Sequence, residues 1–299
     1  MTTLPEFLTA KRTVEDRAVN RRVWDRFVTG LADRAAGGND PVRIVEIGAG
    51  TGSMIARLAD WEALPSRVSY RAVDLDPDTA DIARRQLPEQ LRAAGYAVDE
   101  QTDRLIATRG DDTDRHIEVT VEAGDGFAID DEADAVIAAA VLDLVDLQPA
   151  VEDLKGILAD GGLLYAPFTF NGHTSFLPRD PLDTRIERLY HRHMDEIREQ
   201  PGSSRAGQQL LKTLPTAGYT LLEAGGADWV IRPVDGAYPA AESTALDHLL
   251  STIDGALADY PPEVIDPETR TEWVERRRDQ LARGELTLVA HHLDVLARL

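Results

Sequence analysis

Hydrophobic and polar positions change period several times along the chain, and each change marks an element. Over residues 5–36, Phe7, Leu8, Val14, Val19, Val23, Trp24, Phe27, Val28 and Leu31 recur near the 3.6-residue helical spacing. GGNDP at 37–41 breaks that pattern. Val42, Ile44, Val45 and Ile47 then form a short apolar run rich in β-branched residues and closed by glycines, the signature of a buried parallel strand. Further strands are predicted at Val68–Val73, His116–Ala123, Ala133–Ala140 and Leu163–Thr169. Helices are expected between them at Met54–Trp61, from Pro77 to about Ala94, and over 147–158, the last stopped by Asp160-Gly161-Gly162. Strands alternating with helices build a mostly parallel sheet with helices on both faces.

Three stretches add to this alternation. RLIAT and HIEVTVE alternate as strands around a turn at RGDDTD, which reads as an added β-hairpin at about 96–123. Residues from about 170 to 218, rich in aromatics and turn formers, read as a lid over one end of the sheet. Helices at Ser243–Ala258 and Pro267–Arg283 form an insertion over about 236–285. Its stripe of Leu246, Leu249, Leu250, Ile253 and Leu257 either packs on the sheet or forms a homodimer surface. Strands at Thr220–Ala224, resuming at Trp229–Arg232, and at Leu286–Leu296 complete the sheet. The chain is therefore read as a helical cap (1–40) and one α/β domain (41–299).

Composition narrows the function. With 299 residues, 43% of them hydrophobic, the chain can bury a sizeable core. The absence of cysteine excludes disulfides and thiolate chemistry. No apolar run approaches membrane-helix length and the N-terminus lacks the apolar core of a signal peptide, so a cytoplasmic protein without membrane partners is expected. Acidic residues number 53 against 32 basic, for a formal charge of −21, which argues against a nucleic-acid partner. Lysine occurs only at Lys11, Lys155 and Lys212. That bias fits a high-salt cytosol and a GC-rich genome equally.

The chemistry centres on VRIVEIGAGTGS, residues 42–53. Gly48, Gly50 and Gly52 let the backbone turn sharply and approach a ligand, and Ser53 can cap the helix that follows. Dinucleotide sites use G-x-G-x-x-G, whereas the spacing here is G-x-G-x-G, with Glu46 just ahead of it. A carboxylate there would repel a pyrophosphate, but not a ligand bearing an ammonium and a sulfonium. The stretch resembles motif I of the class I S-adenosylmethionine-dependent methyltransferases. Three later features agree with that family in order and spacing: Asp74 at the end of the second strand, Asp125 in Gly-Asp-Gly after the third, and a fourth strand followed by a Gly-Gly fifth.

The resemblance implies a Rossmann-like fold of seven mostly parallel strands with an antiparallel last strand. It also implies S-adenosylmethionine as methyl donor and S-adenosylhomocysteine as product. On the matching positions, Glu46, Gly48, Ala49, Gly50 and Gly52 would cradle the cofactor. Asp74 would accept from the ribose hydroxyls, with Leu75 beside it, and Asp125 and Gly126 would meet the adenine. Ala139 would lie near the methyl. N-terminal helices often close over the cofactor in this family, so Arg12, Arg17, Asn20 and Arg21 are candidates to hold its carboxylate, with Arg17 the choice.

AAAVLD follows the fourth strand where nucleobase amino-methyltransferases carry an Asn or Asp followed by Pro-Pro-aromatic, so the acceptor is expected to be a small molecule. Asp143 in that segment is read as a helix-start residue. Phe168, Asn171, His173, Tyr190, His193 and Arg205 are candidates to line the acceptor pocket, with His173 and His193 as candidate bases. His191 and His193 are two apart and point away from each other on a helix, so no metal site is expected. The alternatives are a non-catalytic cofactor-binding or scaffold protein and, less well matched, a dinucleotide-dependent oxidoreductase.

Overall fold

A computed structural model describes residues 2–38, 40–109 and 112–299. The N-terminal stretch forms three helices, α1 (Leu4–Ala10), α2 (Arg12–Ala18) and α3 (Arg21–Ala36), rather than one continuous pattern. Local signals mark two of the three starts. A Thr3–Glu6 capping box starts α1, and Asn20, extended and accepting from the Val23 N–H, starts α3. The alternation follows: β1 (Val42–Ile47), α4 (Ser53–Asp60), β2 (Arg67–Asp74), α5 (Pro77–Ala93), β3 (Tyr96–Glu100), β4 (Leu105–Arg109), β5 (Asp112–Ala123), β6 (Ala133–Ile137), α6 (Leu147–Ile157) and β7 (Leu158–Leu177). Then come α7 (Asp183–Arg192), α8 (Ala206–Thr216), β8 (Thr220–Gly226), β9 (Trp229–Ile231), α9 (Glu242–Ala258), α10 (Pro267–Ala282) and β10 (Thr287–Arg298).

The ten strands among the described residues join one sheet in the order β3-β4-β5-β2-β1-β6-β7-β10-β8, with β9 paired to β10. The seven strands from β5 to β8 are the expected core. β5, β2, β1, β6 and β7 run parallel, and β10 enters antiparallel between β7 and β8. β3 and β4 extend the sheet beyond β5 as an antiparallel pair. The turn expected at RGDDTD is centred on Gly110 and Asp111, outside the described residues. β1 has β2 on one side and β6 on the other, so the chain changes direction of winding at its carboxyl end, where α/β sheets bind ligands. One face of the sheet packs against α1–α5, α7, α9 and α10, and the other against α6 and α8.

Two strand boundaries differ from expectation. β6 ends at Ile137 and the chain turns over 138–146, with Ala140 at a positive φ of 54°. β7 runs for 20 residues instead of stopping at Thr169, because β10 pairs with it from Leu163 to Leu177. Helix α6 stops at Ile157, and Leu158 is already extended, so the Gly161-Gly162 pair lies inside the strand. The stripe Leu246, Leu250, Ile253 and Leu257 is buried within the chain, where α9 contacts α1, α7 and α10. No helix among the described residues is long and apolar enough to cross a membrane.

Candidate functional site

The glycine loop has the conformation its sequence suggested. Gly48, Gly50 and Gly52 stand at φ of 65°, 57° and 81°, a region that L side chains rarely enter. A Cβ on Gly48 would collide with Val141, one on Gly52 would lie 2.8 Å from Leu87, and one on Gly50 would lie 3.3 Å from Leu8 of α1. The loop is therefore a bare backbone cradle with α1 folded over it, directly preceding the N-terminus of α4.

Around this cradle stand the acidic groups. Asp74 accepts from the Gly50 N–H at 2.7 Å through Oδ2 and from the Asp76 N–H at 3.0 Å through Oδ1. A carboxylate has about four lone-pair sites, so each oxygen keeps capacity for a ribose hydroxyl. Leu75 beside it is 77% exposed, an apolar surface suited to a planar base. Asp76 is the N-cap of α5, accepting from the Asp78 N–H and the Thr79 hydroxyl, which leaves Asp74 as the acid facing the loop. Asp125 accepts from the Phe127 N–H through Oδ1, and Gly126 packs so closely on Ile47 that a Cβ would lie 2.7 Å from it. The buried Glu46 accepts from the Tyr70 hydroxyl at 2.6 Å. Burial pushes its carboxyl up to about 8, against the opposing pull of that hydrogen bond and of Arg57.

Arg17 is not free to hold a cofactor carboxylate. Its two terminal nitrogens donate to both oxygens of buried Glu242 at 2.5 and 2.8 Å, tying α2 to α9. A guanidinium engaged bidentately by one carboxylate is not available to a second. The arginine that matters to this region without having been singled out is Arg57 of α4. It is fully buried, with Glu15 at 3.1 Å and Asp16 at 2.6 Å, and it locks α2 onto the helix that follows the glycine loop.

Next to the loop lies a cavity of about 510 Å³, roofed by α1 and α9 and lined below by the turn after β6 and by residues of β7, β9 and the first half of β10. Its polar groups include Lys11, Asp143, Tyr190, His193 and His292, set among Phe7, Phe168, Phe170 and Trp229. Leu8 belongs to both places, lining the cavity and covering Gly50. Of the residues expected here, Phe168, Tyr190 and His193 line the cavity. Phe168 sits at a positive φ of 57°, held by its N–H donating to buried Asp294 at 2.9 Å. Burial pushes the Tyr190 hydroxyl up to about 12, so it stays protonated near neutral pH. His193 Nε2 lies 2.7 Å from Asp259 Oδ2.

The other expected residues stand elsewhere. His173 is exposed and pairs with Glu187 at 2.9 Å. Asn171 accepts from the Gln208 N–H and so fixes the start of α8. Arg205 lines a separate outer groove between α6, α7 and α8. Ala139 is packed against the core, and its neighbour Ala140 lines the cavity instead.

Asp143 corrects the sequence reading most. It does not start a helix: Asp146 is the N-cap of α6. Asp143 is buried in the cavity wall with Oδ1 lacking any hydrogen-bond partner. Burial raises its carboxyl above the ordinary range, opposed by backbone N–H groups, Arg198 and Lys11. His292 also lines the cavity, and burial lowers it to about 4, so it is neutral at pH 7. The only sequence signal for Asp143 was a carboxylate just beyond an apolar strand; for Trp229 and His292 there was none, because β9 and β10 reach the site through long-range pairing in the sheet.

Residues 45–164 match the family model described as a methyltransferase domain. No curated protein matches the chain. Among solved structures, the chain is similar to a SAM-dependent methyltransferase from Geobacter sulfurreducens in complex with S-adenosyl-L-homocysteine, with 14% identity, 99% of each chain covered and a TM-score of 0.45. A SAM-dependent methyltransferase from Thiobacillus denitrificans, also in complex with S-adenosyl-L-homocysteine, gives 14% identity, 93% of this chain and 92% of that one, and a TM-score of 0.43. The magnesium protoporphyrin IX methyltransferase of Synechocystis PCC 6803 gives 15% identity, 69% and 75% coverage, and a TM-score of 0.42.

Proposed function

We propose that this chain, whose residues 45–164 match a methyltransferase-domain model, is an S-adenosylmethionine-dependent methyltransferase that methylates a small-molecule acceptor bound in the cavity beside the glycine loop. The observation that carries this reading is the position of Leu8, which lines the cavity and lies over Gly50. Cofactor cradle and cavity are thus adjacent and share one wall.

The residues present suit the cofactor. Positive-φ glycines give close backbone approach, Asp74 has spare acceptor capacity for two ribose hydroxyls, Leu75 offers an apolar face, and Asp125, just after β5, is the acid that the resemblance assigns to the adenine. Bound there, the cofactor supplies an electrophilic methyl on a sulfonium. The chain's own part is to fix the acceptor in line and keep water out, and alignment alone can lower a barrier by several kcal/mol, about 7–11 in well-oriented intramolecular cases. α1 and α9 close the cavity from above, and α2, which follows α1, is tied to α9 by Arg17–Glu242 and by Thr13, whose hydroxyl donates to Glu242 at 2.9 Å. The enclosure suits a small molecule, and a chain charge of −21 disfavours a polyanion.

The test is calorimetric titration of wild type and Asp74→Ala with S-adenosylhomocysteine, followed by transfer of labelled methyl from S-adenosylmethionine into a fractionated metabolite pool. Binding that falls at least about tenfold in Asp74→Ala, together with label in small molecules, is expected. No binding by the folded wild type, also at molar salt, would overturn the reading, and binding without transfer to any small molecule would favour the non-catalytic alternative.

A further inference from the structure

The cavity beside the glycine loop and the outer groove between α6, α7 and α8 meet at Met194 and Arg198, which line both. Arg198 is half-buried, and among the described residues its guanidinium is held by neutral groups alone. Nε donates to the Gln200 carbonyl at 3.0 Å, and Nη2 donates to the Asp143 and Pro201 carbonyls at 2.8 and 3.3 Å. Gly202 leaves the room this needs, since a Cβ there would overlap Nη2. Nη1 donates to nothing and, unlike Asp143 Oδ1 and Trp229 Nε1, is not sealed from solvent. The guanidinium is thus fixed in place by its own loop while its charge stays unanswered.

The surroundings do not supply the missing anion. Asp143 offers Arg198 its backbone carbonyl rather than its carboxylate, and burial raises that carboxyl against the pull of Arg198. On the cavity side, Lys11 is matched by buried Glu15 at 2.8 Å, and Asp259 is taken by His193. On the groove side, Arg188, Arg205 and Lys212 also pair with no carboxylate among the described residues. The acids there have other work. Asp146 caps α6, Asp195 accepts from the Ser204 N–H and hydroxyl at 2.6 and 2.9 Å, and Glu196 pairs with Arg192 at 2.9 Å. In a chain of net charge −21 this is a local excess of positive charge. A guanidinium that is already oriented binds a carboxylate or phosphate strongly, because little ordering cost remains.

We propose that the acceptor carries an anionic group, a carboxylate or a phosphate monoester, that accepts from Arg198 where the cavity and the groove meet, while an apolar body occupies the cavity. This rests on the methyltransferase reading above. Phe7, Phe168, Phe170 and Trp229 give the body its apolar walls. Arg198 acts here as a specificity residue: it holds one end of the acceptor and takes no part in the chemistry. Arg188, Arg205 and Lys212 favour the approach of an anion along the groove but stand away from the cavity.

The experiment is calorimetric titration of the protein, saturated with S-adenosylhomocysteine, with 3-phenylpropionate, with phenyl phosphate and with neutral 3-phenylpropionamide. Wild type is expected to bind at least one anion at least about tenfold tighter than the amide, and the tighter of the two anions names the group. Arg198→Met, which keeps an apolar stem, is expected to lose that preference while still binding S-adenosylhomocysteine. Arg198→Lys, which keeps the charge, is expected to recover part of it. Gly202→Ala keeps Arg198 but displaces its guanidinium, and is expected to weaken the preference several-fold. Arg205→Gln is expected to change it much less than Arg198→Met does. No anion favoured by wild type, no binding of any probe, or an unchanged preference in Arg198→Met overturns the assignment and leaves the methyltransferase reading standing. An equal loss in Arg205→Gln also overturns it, because the general field of the groove would then account for the preference. Failure of S-adenosylhomocysteine itself to bind overturns the underlying reading instead.

Discussion

Glu46 sits two residues before the first glycine of the loop, is 2% exposed, and titrates at about 8. Replacing it with Gln keeps the shape of the protonated carboxyl and removes its titration. Unfolded, a glutamate titrates near its ordinary value of 4.5. Below that pH both states carry the proton and the contribution of Glu46 to stability is fully present. From 4.5 to about 8 only the folded state keeps the proton, so each pH unit removes about 1.4 kcal/mol of stability. Across the whole window this amounts to about 5 kcal/mol. Above about 8 both states are ionised and the loss is complete. The assay is guanidinium unfolding of wild type and Glu46→Gln in steps from about pH 5 to about pH 9, reading the difference between the two so that other titrating groups cancel. Wild type is expected to lose about 4 kcal/mol relative to the variant over that range. Parallel profiles would refute the reasoning, because they would mean that Glu46 is ionised in the fold at neutral pH despite its burial.

Glu15→Ala leaves fully buried Arg57 with only Asp16 and removes the partner of Lys11, so it is expected to cost about 3–5 kcal/mol, read as a fall in Tm of roughly 5–8 °C; a fall below about 2 °C would contradict the burial of this cluster. Asp294→Ala strips the acceptor from the Asn20 and Phe168 N–H groups, at 2.8 and 2.9 Å, and is expected to cost about 3 kcal/mol by chemical denaturation, with Asp294→Asn, whose single carbonyl oxygen can serve only one of the two, recovering no more than about half of it. Gly52→Ala forces a side chain to φ of 81° and against Leu87, and is expected to cost about 1–2 kcal/mol and to weaken S-adenosylhomocysteine binding in calorimetry. An alanine variant indistinguishable from wild type in both measurements would show that the cradle does not need glycine there.

The sequence by itself determined the cradle and the alternation of strands and helices in the core of the sheet. A β-branched run, three glycines and a helix start are local, and each residue acts through its own backbone preference, so VRIVEIGAGTGS predicts its structure without reference to the rest of the chain. Asp74 followed for the same reason, since its place at the end of β2 is fixed by strand alternation. The limits of β7 were not local: β10, arriving from more than a hundred residues later, pairs with it to Leu177. The tertiary structure alone decided who lines the cavity. Arg17 looked like a cofactor ligand until α9 brought Glu242 to it, and Asp143 looked like a helix cap until the β6–α6 turn buried it opposite strands from the far end of the chain. The physical reason is that backbone preferences are written over a few residues. The burial, pairing and lost solvation of a side chain depend instead on every element that folds against it.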